Sequence, residues 1–130
     1  MRIFRTDETD ARAADAKSFV GPATTKLLAS SEEGESVHVY RVEFNDGART
    51  NWHSHSGAQW LFVVEGSIRV QREGESVTDA TEGDAVVIAP GERHWHGATP
   101  GSRGVHIAVN INAQTTWLGA VSEGEYRASP

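Results

Sequence analysis

Alternation of apolar and polar residues is clearest between Val37 and Phe44, where the chain runs V-H-V-Y-R-V-E-F. Turn-forming stretches flank this run, Glu-Gly-Glu-Ser before it and Asn-Asp-Gly after it, as is typical of a strand between two turns. Further strands are predicted at short intervals: Thr50–His55, Gln59–Glu65, Ser67–Arg72 after a turn at Gly66, Ser76–Thr78, Ala85–Ala89, Arg93–Gly97 and Gly104–Asn112. Many short strands separated by glycine, without a long helical period, predict an antiparallel β-sandwich or barrel.

The two ends of the chain differ from this pattern. Residues 1–17 are polar and charged without a sustained period, which predicts an N-terminal arm or an edge strand. Residues 18–130 are expected to form a single domain, because the chain is long enough for one core and too short for two. The last segment, Gln114–Tyr126, spaces its large apolar residues in a way that suits either one short helix or a closing strand.

The amino-acid composition excludes several classes of partner and of active site. The chain has 12 Lys and Arg residues against 18 Asp and Glu, a formal net charge of -6, and its basic residues are scattered, so no nucleic-acid partner is expected. The absence of cysteine excludes disulfides, thiolate metal sites and a cysteine nucleophile. No apolar run resembles a signal peptide or reaches the roughly 20 residues of a membrane span, so we predict a cytoplasmic protein without a membrane partner.

Histidines supply the candidate chemistry. His53 and His55 lie two residues apart on a predicted strand, so their imidazoles share one face, and Gln59 follows four residues later. The stretch Gly83–Gly97 holds a second group, His94-Trp95-His96, after a Pro-Gly turn. A third imidazole from this neighbouring strand would complete a three-histidine metal site, with the amide oxygen of Gln59 as the fourth ligand.

Two motifs resemble those of the cupin family. The first has its residues at the family's spacing, with Gln59 where the general pattern has Glu: Gly47, His53, His55, Gln59 and Gly66. The second runs from Gly83 through Ile88 and an Ala-Pro-Gly turn to His94, with Ala89 in place of the pattern's first proline. The stretches GART, QREG, HWHGA and TTWLGAVSEGEYR are further similar to small one-domain cupins. These include the bacterial manganese-dependent hydroxynitrile lyases and the cupins associated with carboxymuconolactone decarboxylases.

The resemblance implies a fold and a site. The fold is an all-β, cupin-type jelly-roll barrel, an antiparallel double-stranded β-helix that is often a homodimer. One divalent ion is implied in the barrel mouth, held by His53, His55, Gln59 and His94. The resemblance also places His106 beside the open face of that ion, and it implies a residue smaller than Tyr40 at position 40.

The ligand set has chemical consequences of its own. Three imidazoles and an amide are neutral, so a bound dication keeps its full charge and is a strong Lewis acid. Manganese is the expected ion, and iron, nickel, cobalt and zinc accept the same ligands. His106, if it faces the barrel interior beside this ion, is neutral near pH 7 and is the candidate general base. The predicted substrate pocket consists of Tyr40, Val42, Leu61, His96, Ala108 and Asn110.

Three functions remain open at this stage. We favour an enzyme in which the ion binds a small hydroxy or carbonyl compound and His106 takes its proton, so that a carbon-carbon bond breaks or forms as in a hydroxynitrile lyase. A metal-dependent dioxygenase-type cupin and a non-catalytic module that binds a small molecule or metal are the alternatives. His96 is expected to support the site rather than to bind the ion, and His38 to be structural or solvent-facing. Trp52, Trp60 and Trp95 have the opposite parity to the ligands and suit the core or a dimer interface.

Overall fold

The computed structural model describes residues 1–130, which form twelve strands and one short helix. The strands are β1 (Arg12–Ala13), β2 (Phe19–Val20), β3 (Ala23–Ser31), β4 (Val37–Phe44), β5 (Arg49–Thr50), β6 (His53–His55), β7 (Ala58–Arg72), β8 (Thr78–Thr81), β9 (Ala85–Ile88), β10 (His94–Ala98), β11 (Gly104–Ile111) and β12 (Thr115–Trp117). The helix is α1 (Glu123–Tyr126). No helix of the chain is long and apolar enough to cross a membrane.

Two antiparallel sheets curl against each other as a jelly-roll barrel. Sheet I contains β1, β3, β4, β11, the first half of β7 and β9. Sheet II contains β8, the second half of β7, β10, β5 and β2, with β6 and β12 paired beside β10. The all-β jelly-roll prediction is therefore confirmed.

The long strand β7 joins the two sheets, and it corrects one prediction. Gly66 does not close a turn between two strands; β7 runs through it without a break. Gly66 has φ +65°, and a Cβ there would lie 1.9 Å from the carbonyl oxygen of Arg103. The pairing of β7 with β11 shifts register at this point, between Val105 and His106. Glycine is needed here because it allows the strand to bend from one sheet into the other.

Strand β3 was not predicted. Its sequence, ATTKLLASS, lacks regular alternation, and its register with β4 shifts between Leu27 and Ala29. An extra residue in a strand reverses the facing of all later side chains, which hides a period of two. Within the predicted N-terminal arm, Arg12 and Ala13 pair with β3 as an edge strand. The C-terminal segment contains both of the structures that its spacing suited, strand β12 and helix α1.

Three apolar clusters stabilise the barrel, the smallest of them around Leu61. The largest lies between the sheets and is centred on Phe44, Val63 and Ile68. The second lies on the outer face of sheet II, where Trp95 is fully buried beneath Val121 and Tyr126 of the C-terminal segment. Helix α1 begins with a capping box formed by Ser122 and Glu125, which fixes Tyr126 over this cluster. On β10 the metal-site candidates His94 and His96 flank Trp95 and point to the opposite, inner face of sheet II.

Candidate metal centre

Strands β6 and β10 bring three of the predicted ligands together. His53 and His55 share the inner face of β6, and the pairing of β10 with β6 sets His94 directly opposite His53. The ring centroids of His53 and His94 are 4.2 Å apart, and His55 lies 5.0 Å from His53 and 5.5 Å from His94. All three side chains are buried. The alternation of a strand therefore aims imidazoles from two strands at one point, as the spacing predicts.

Each of these rings is held through its Nδ1 atom. The ring Nδ1 lies 2.8 Å from the carbonyl oxygen of Asn51 in His53 and 2.8 Å from that of Glu92 in His94. A carbonyl oxygen only accepts hydrogen bonds, so both Nδ1 atoms must carry the proton. In His55 the corresponding contact is 2.9 Å to the hydroxyl of Thr115. The carbonyl contacts leave the Nε2 lone pairs of His53 and His94 free, and that of His55 is free when the Thr115 hydroxyl accepts from Nδ1, which is how metal-binding histidines are oriented in proteins.

Gln59 presents its oxygen to the same point. Its Nε2 atom donates to the side-chain oxygen of Asn110 at 2.8 Å, which orients the amide. Its Oε1 atom lies 3.2 Å from Nε2 of His94. With the proton of His94 on Nδ1, this contact sets two lone pairs against each other, and Nε2 of His55 is buried without any partner. A cation between these atoms would satisfy all of them, so the residues fit a divalent metal ion.

A second pair of histidines lies deeper in the barrel. Nε2 of His106 is 3.0 Å from Nδ1 of His96, and both rings are buried. Nε2 of His96 and Nδ1 of His106 have no hydrogen-bond partner. The ligand atoms of His53, His94 and His96 lie within 4.8 Å of one another, so these three form a buried group that can hold a metal ion. His55 and His96 therefore compete for the third position beside His53 and His94.

Burial keeps these imidazoles neutral. Burial, and after it the nearby His94, lowers the pKa of His53 to about 2, while burial is the main cause that lowers the pKa values of His55 and His106 to about 4. The pKa of His94 is lowered by burial, and that of His96 well below its usual value by burial and by the surrounding rings. Neutral imidazole is the form that binds metal, so the free protein has its ligands ready near pH 7.

A cavity of about 230 Å³ opens onto this cluster. Five of the six predicted pocket residues line it: Tyr40, Val42, His96, Ala108 and Asn110. The sixth, Leu61, does not line the cavity. It is fully buried and packs with Ile88 and Ala108 behind the wall of the cavity. His106 lines the cavity, and no carboxylate, lysine or arginine does. A dication bound here would therefore keep its full charge, as the neutral ligand set implies.

Sequence reasoning missed several cavity residues. Phe19, Thr25, Thr50, Thr115 and Trp117 also line the cavity. Thr115 and Trp117 share one face of β12, which pairs with β6 and brings Trp117 to a centroid distance of 4.7 Å from His53. Thr115 and Trp117 lie two residues apart, so predicting a strand at this position would have placed both side chains on the same face. Phe19 and Thr25 come from β2 and from the unpredicted β3, where no pattern marked them.

The remaining aromatic residues and His38 lie outside the cavity. Trp95 belongs to the core, Trp52 is half-buried against it, and Trp60 is exposed on the outer face of sheet I. His38 is partly exposed, and its Nε2 lies 3.5 Å from a carboxylate oxygen of Glu32. His38 therefore has no contact with the histidine cluster, in line with its predicted structural or solvent-facing role.

A jelly-roll barrel with histidines from β6 and β10 meeting inside it is the architecture of one protein class. The family model described as a cupin domain matches residues 40–110, more than half of the chain, and the chain belongs to the cupin family. A curated relative, the (R)-mandelonitrile lyase of Granulicella tundricola, is 34% identical over 130 residues, covering 98% of this chain and 99% of the relative. The predicted resemblance to small single-domain cupins is thus confirmed.

Solved structures agree on the fold. A cupin-like protein from Thermotoga maritima is 39% identical and superposes with a TM-score of 0.84, covering 88% of this chain and 90% of that one. A polyketide cyclase from Streptomyces resistomycificus superposes with a TM-score of 0.70 at 20% identity, covering 98% of this chain and 89% of that one. At that identity the second likeness concerns the fold alone.

Proposed function

We propose that this chain is a metal-dependent lyase that cleaves and forms the carbon-carbon bond of a cyanohydrin. The observation that carries the proposal is the meeting of neutral imidazoles, anchored through Nδ1, beside one cavity that His106 also lines. The named activity of the Granulicella tundricola relative, which matches nearly the whole chain, supports it. A cavity of about 230 Å³ also suits a small molecule, since drug-sized ligands occupy pockets of about 300–1,000 Å³.

His53, His55, Gln59 and His94 hold the ion in this proposal, with manganese as the expected metal. When bound, the divalent ion lowers the pKa of a substrate hydroxyl and stabilises the oxygen that remains when its proton leaves. His55 is preferred to His96 as the third imidazole because the hydroxyl of Thr115 holds its Nδ1, although Nε2 lacks a hydrogen-bond partner in both rings. Nδ1 of His96 instead faces another imidazole.

His106 is the base in this reaction. If its Nε2–H donates to Nδ1 of His96, then its own Nδ1 carries a lone pair that has no protein partner. That nitrogen takes the hydroxyl proton, the carbonyl forms, the carbon-carbon bond breaks, and its electrons leave with cyanide. The proton on His106 then passes to cyanide, so that an aldehyde and hydrogen cyanide are released. His96 acts as a positioning residue because it fixes which nitrogen of His106 is free.

The rim of the cavity favours an aromatic substrate. Phe19, Tyr40 and Trp117 supply aromatic surface around the opening. Aromatic pairs prefer offset or edge-to-face contacts, and a substrate ring among these three side chains would leave the reacting carbon near the histidines. Tyr40 lines this cavity, so the choice among aromatic cyanohydrins is expected to depend on position 40.

Assay of manganese-loaded protein with mandelonitrile tests the proposal. We expect release of benzaldehyde and cyanide above background, and a decrease in kcat of about 10²–10⁴-fold in His106→Ala with the metal retained. His96→Ala should also retain the metal and lose activity, whereas His55→Ala should lose the metal. His38→Ala is the matched control and should behave as the unaltered chain does.

Other outcomes separate the alternatives. No cyanide above background from metal-loaded protein would overturn the lyase proposal. Oxygen consumption with enolisable substrates would support a dioxygenase-type cupin instead. Retention of metal with no turnover of any substrate would support the binding module. A cytoplasmic location stays a prediction.

A further inference from the structure

Asn110 is a cavity residue whose hydrogen-bonding groups are only half used. Its side-chain oxygen Oδ1 accepts from Nε2 of Gln59 at 2.8 Å, and the two residues are direct partners in the pairing of β11 with β7. The other side-chain atom, Nδ2, carries two N–H donors and makes no hydrogen bond to the protein. Asn110 lines the cavity and is only partly buried, so these donors are available to a bound molecule.

Gln59 fixes this orientation of the Asn110 amide. If the amide turned over, Nδ2 would face Nε2 of Gln59, and two donors would oppose each other. In the metal-bound form Gln59 does not turn over as well, because its Oε1 is needed at the point where the ligand atoms meet, beside Nε2 of His94. The Asn110 donors are thus held in place before a substrate binds, and donors fixed in advance stabilise developing charge most effectively.

Strand β11 places Asn110 in line with the proposed base. His106, Ala108 and Asn110 alternate along β11, and all three line the cavity. His106 and Asn110 are four residues apart, about 13 Å along the strand. Only the methyl group of Ala108 lies between them on this face, so a small molecule can lie over it with one end at each neighbour. The hydroxyl and the nitrile of a cyanohydrin are attached to the same carbon, and they suit these two ends.

The rest of the cavity wall offers little to balance a charge at the nitrile end. When the carbon-carbon bond breaks, its electron pair leaves with cyanide, and no lysine or arginine lines the cavity. The hydroxyl of Thr115 already contacts Nδ1 of His55. The other hydroxyl donors can rotate away, unlike the fixed amide, and they belong to Thr25, Tyr40 and Thr50. A neutral donor held in place is therefore the group best suited to this end.

We propose that the Nδ2 group of Asn110 binds the nitrile nitrogen of the substrate and the cyanide that leaves it. This inference rests on the proposed function, because it concerns the cyanohydrin of that reaction. The hydroxyl end then lies at the metal and His106, the nitrile end lies at Asn110, and the third substituent lies among the aromatic side chains of the rim. Three separate contacts around one carbon distinguish its two mirror-image forms, so Asn110 also contributes to enantioselectivity.

Binding of phenylacetonitrile tests the contact without requiring turnover. This nitrile has no hydroxyl group, so the proposed reaction does not cleave it. In the metal-loaded, unaltered protein its infrared C≡N band should lie at higher wavenumber than in an aprotic solvent, because an N–H group donates to the nitrogen. In Asn110→Asp this shift should disappear, and the Kd should rise about 2–10-fold through loss of one hydrogen bond. The metal should be retained, since a carboxylate oxygen still accepts from Gln59.

A second variant separates the two roles of Asn110. Asn110→Leu removes the acceptor for Gln59 as well as the donor for the nitrile. It should therefore weaken manganese binding by about 10–100-fold in addition to losing the band shift. His38→Ala is the matched control: His38 lies directly opposite Asn110 on β4 but does not line the cavity, and its removal should change neither measurement.

Kinetics in the direction of synthesis supply a second readout. In manganese-loaded Asn110→Asp, kcat should fall about 10²–10³-fold and the KM for cyanide should rise, while the KM for benzaldehyde stays the same. The enantiomeric excess of the mandelonitrile formed should decrease. An unshifted band in the unaltered protein would overturn the proposal, as would a shift that survives in Asn110→Asp and is lost in Tyr40→Phe, which would assign the donor to the phenol. A shifted band without any turnover would support the nitrile contact and remove only the lyase reaction.

Discussion

Metal-free protein should lose stability as the pH falls from about 6.5 toward 4, because its buried histidines resist protonation. Burial lowers the pKa of His55 and His106 to about 4 and that of His53 to about 2, from an ordinary value of 6.5. Between these limits the unfolded chain binds protons that the folded chain does not, so the free energy of unfolding falls with decreasing pH. Above pH 6.5 these groups are neutral in both states and have no effect.

The magnitude follows from the size of the shifts. Each such histidine contributes about 1.4 kcal/mol per pH unit inside the window. His53, His55 and His106 together give about 4 kcal/mol per unit, a large part of the 5–15 kcal/mol that stabilises a typical domain, and His94 and His96, whose pKa values are also lowered, act in the same direction. Carboxylates do not explain a loss in this range, because Glu43 and Glu123 have pKa values lowered below 4.5 and titrate at more acidic pH.

Urea unfolding in the presence of a chelator measures this effect, with tryptophan fluorescence recorded at pH 7, 6 and 5. His106→Phe should reduce the slope against pH by about 1.4 kcal/mol per unit, since one buried imidazole is removed. A free energy of unfolding that is flat between pH 7 and 5 would refute the neutral, buried cluster.

Two further substitutions have matched controls within the chain. Gly66→Ala should lower the free energy of urea unfolding by about 2 kcal/mol or more, because Gly66 has φ +65° and an added Cβ would clash with the carbonyl oxygen of Arg103. Gly74→Ala is the control: Gly74 has φ +84° but open space around it, so this change should cost only about 1 kcal/mol. Thr115→Val removes the oxygen that holds Nδ1 of His55 and should weaken manganese binding by about 10–100-fold in calorimetric titration, whereas Thr115→Ser should not. Equal affinity in both Thr115 variants would contradict the anchoring role of the hydroxyl.

Much of the site could be predicted because strand geometry is periodic. A spacing of two residues placed His53 and His55 on one face, and the same parity carried His106, Ala108 and Asn110 into the cavity. These inferences needed only the alternation of a strand, which the chain obeys wherever strands are regular. In the same way, the stretch Gly83–Gly97 predicted that His94 lies on a strand beside the one that carries His53 and His55, and His94 pairs with His53.

Irregular strands were harder to predict, because a bulge or a bend interrupts the alternation of side chains. The bulge in β3 concealed that strand and with it Thr25, and Gly66 bends a strand where a glycine more often ends one. The position of Leu61 behind the wall depends on the curvature of the barrel, which no local pattern encodes. The hydrogen bond between His96 and His106 links β10 to β11, two strands that share no backbone pairing, so it emerges only from tertiary packing.

Elemental analysis of protein produced with ample manganese tests the central claim most directly. The site predicts one divalent ion per chain in the unaltered protein and in His38→Ala, and loss of that ion in His53→Ala and His94→Ala, since the centroids of these two rings lie 4.2 Å apart. Folded protein without metal, or an ion that remains after His53 and His94 are both replaced, would contradict it.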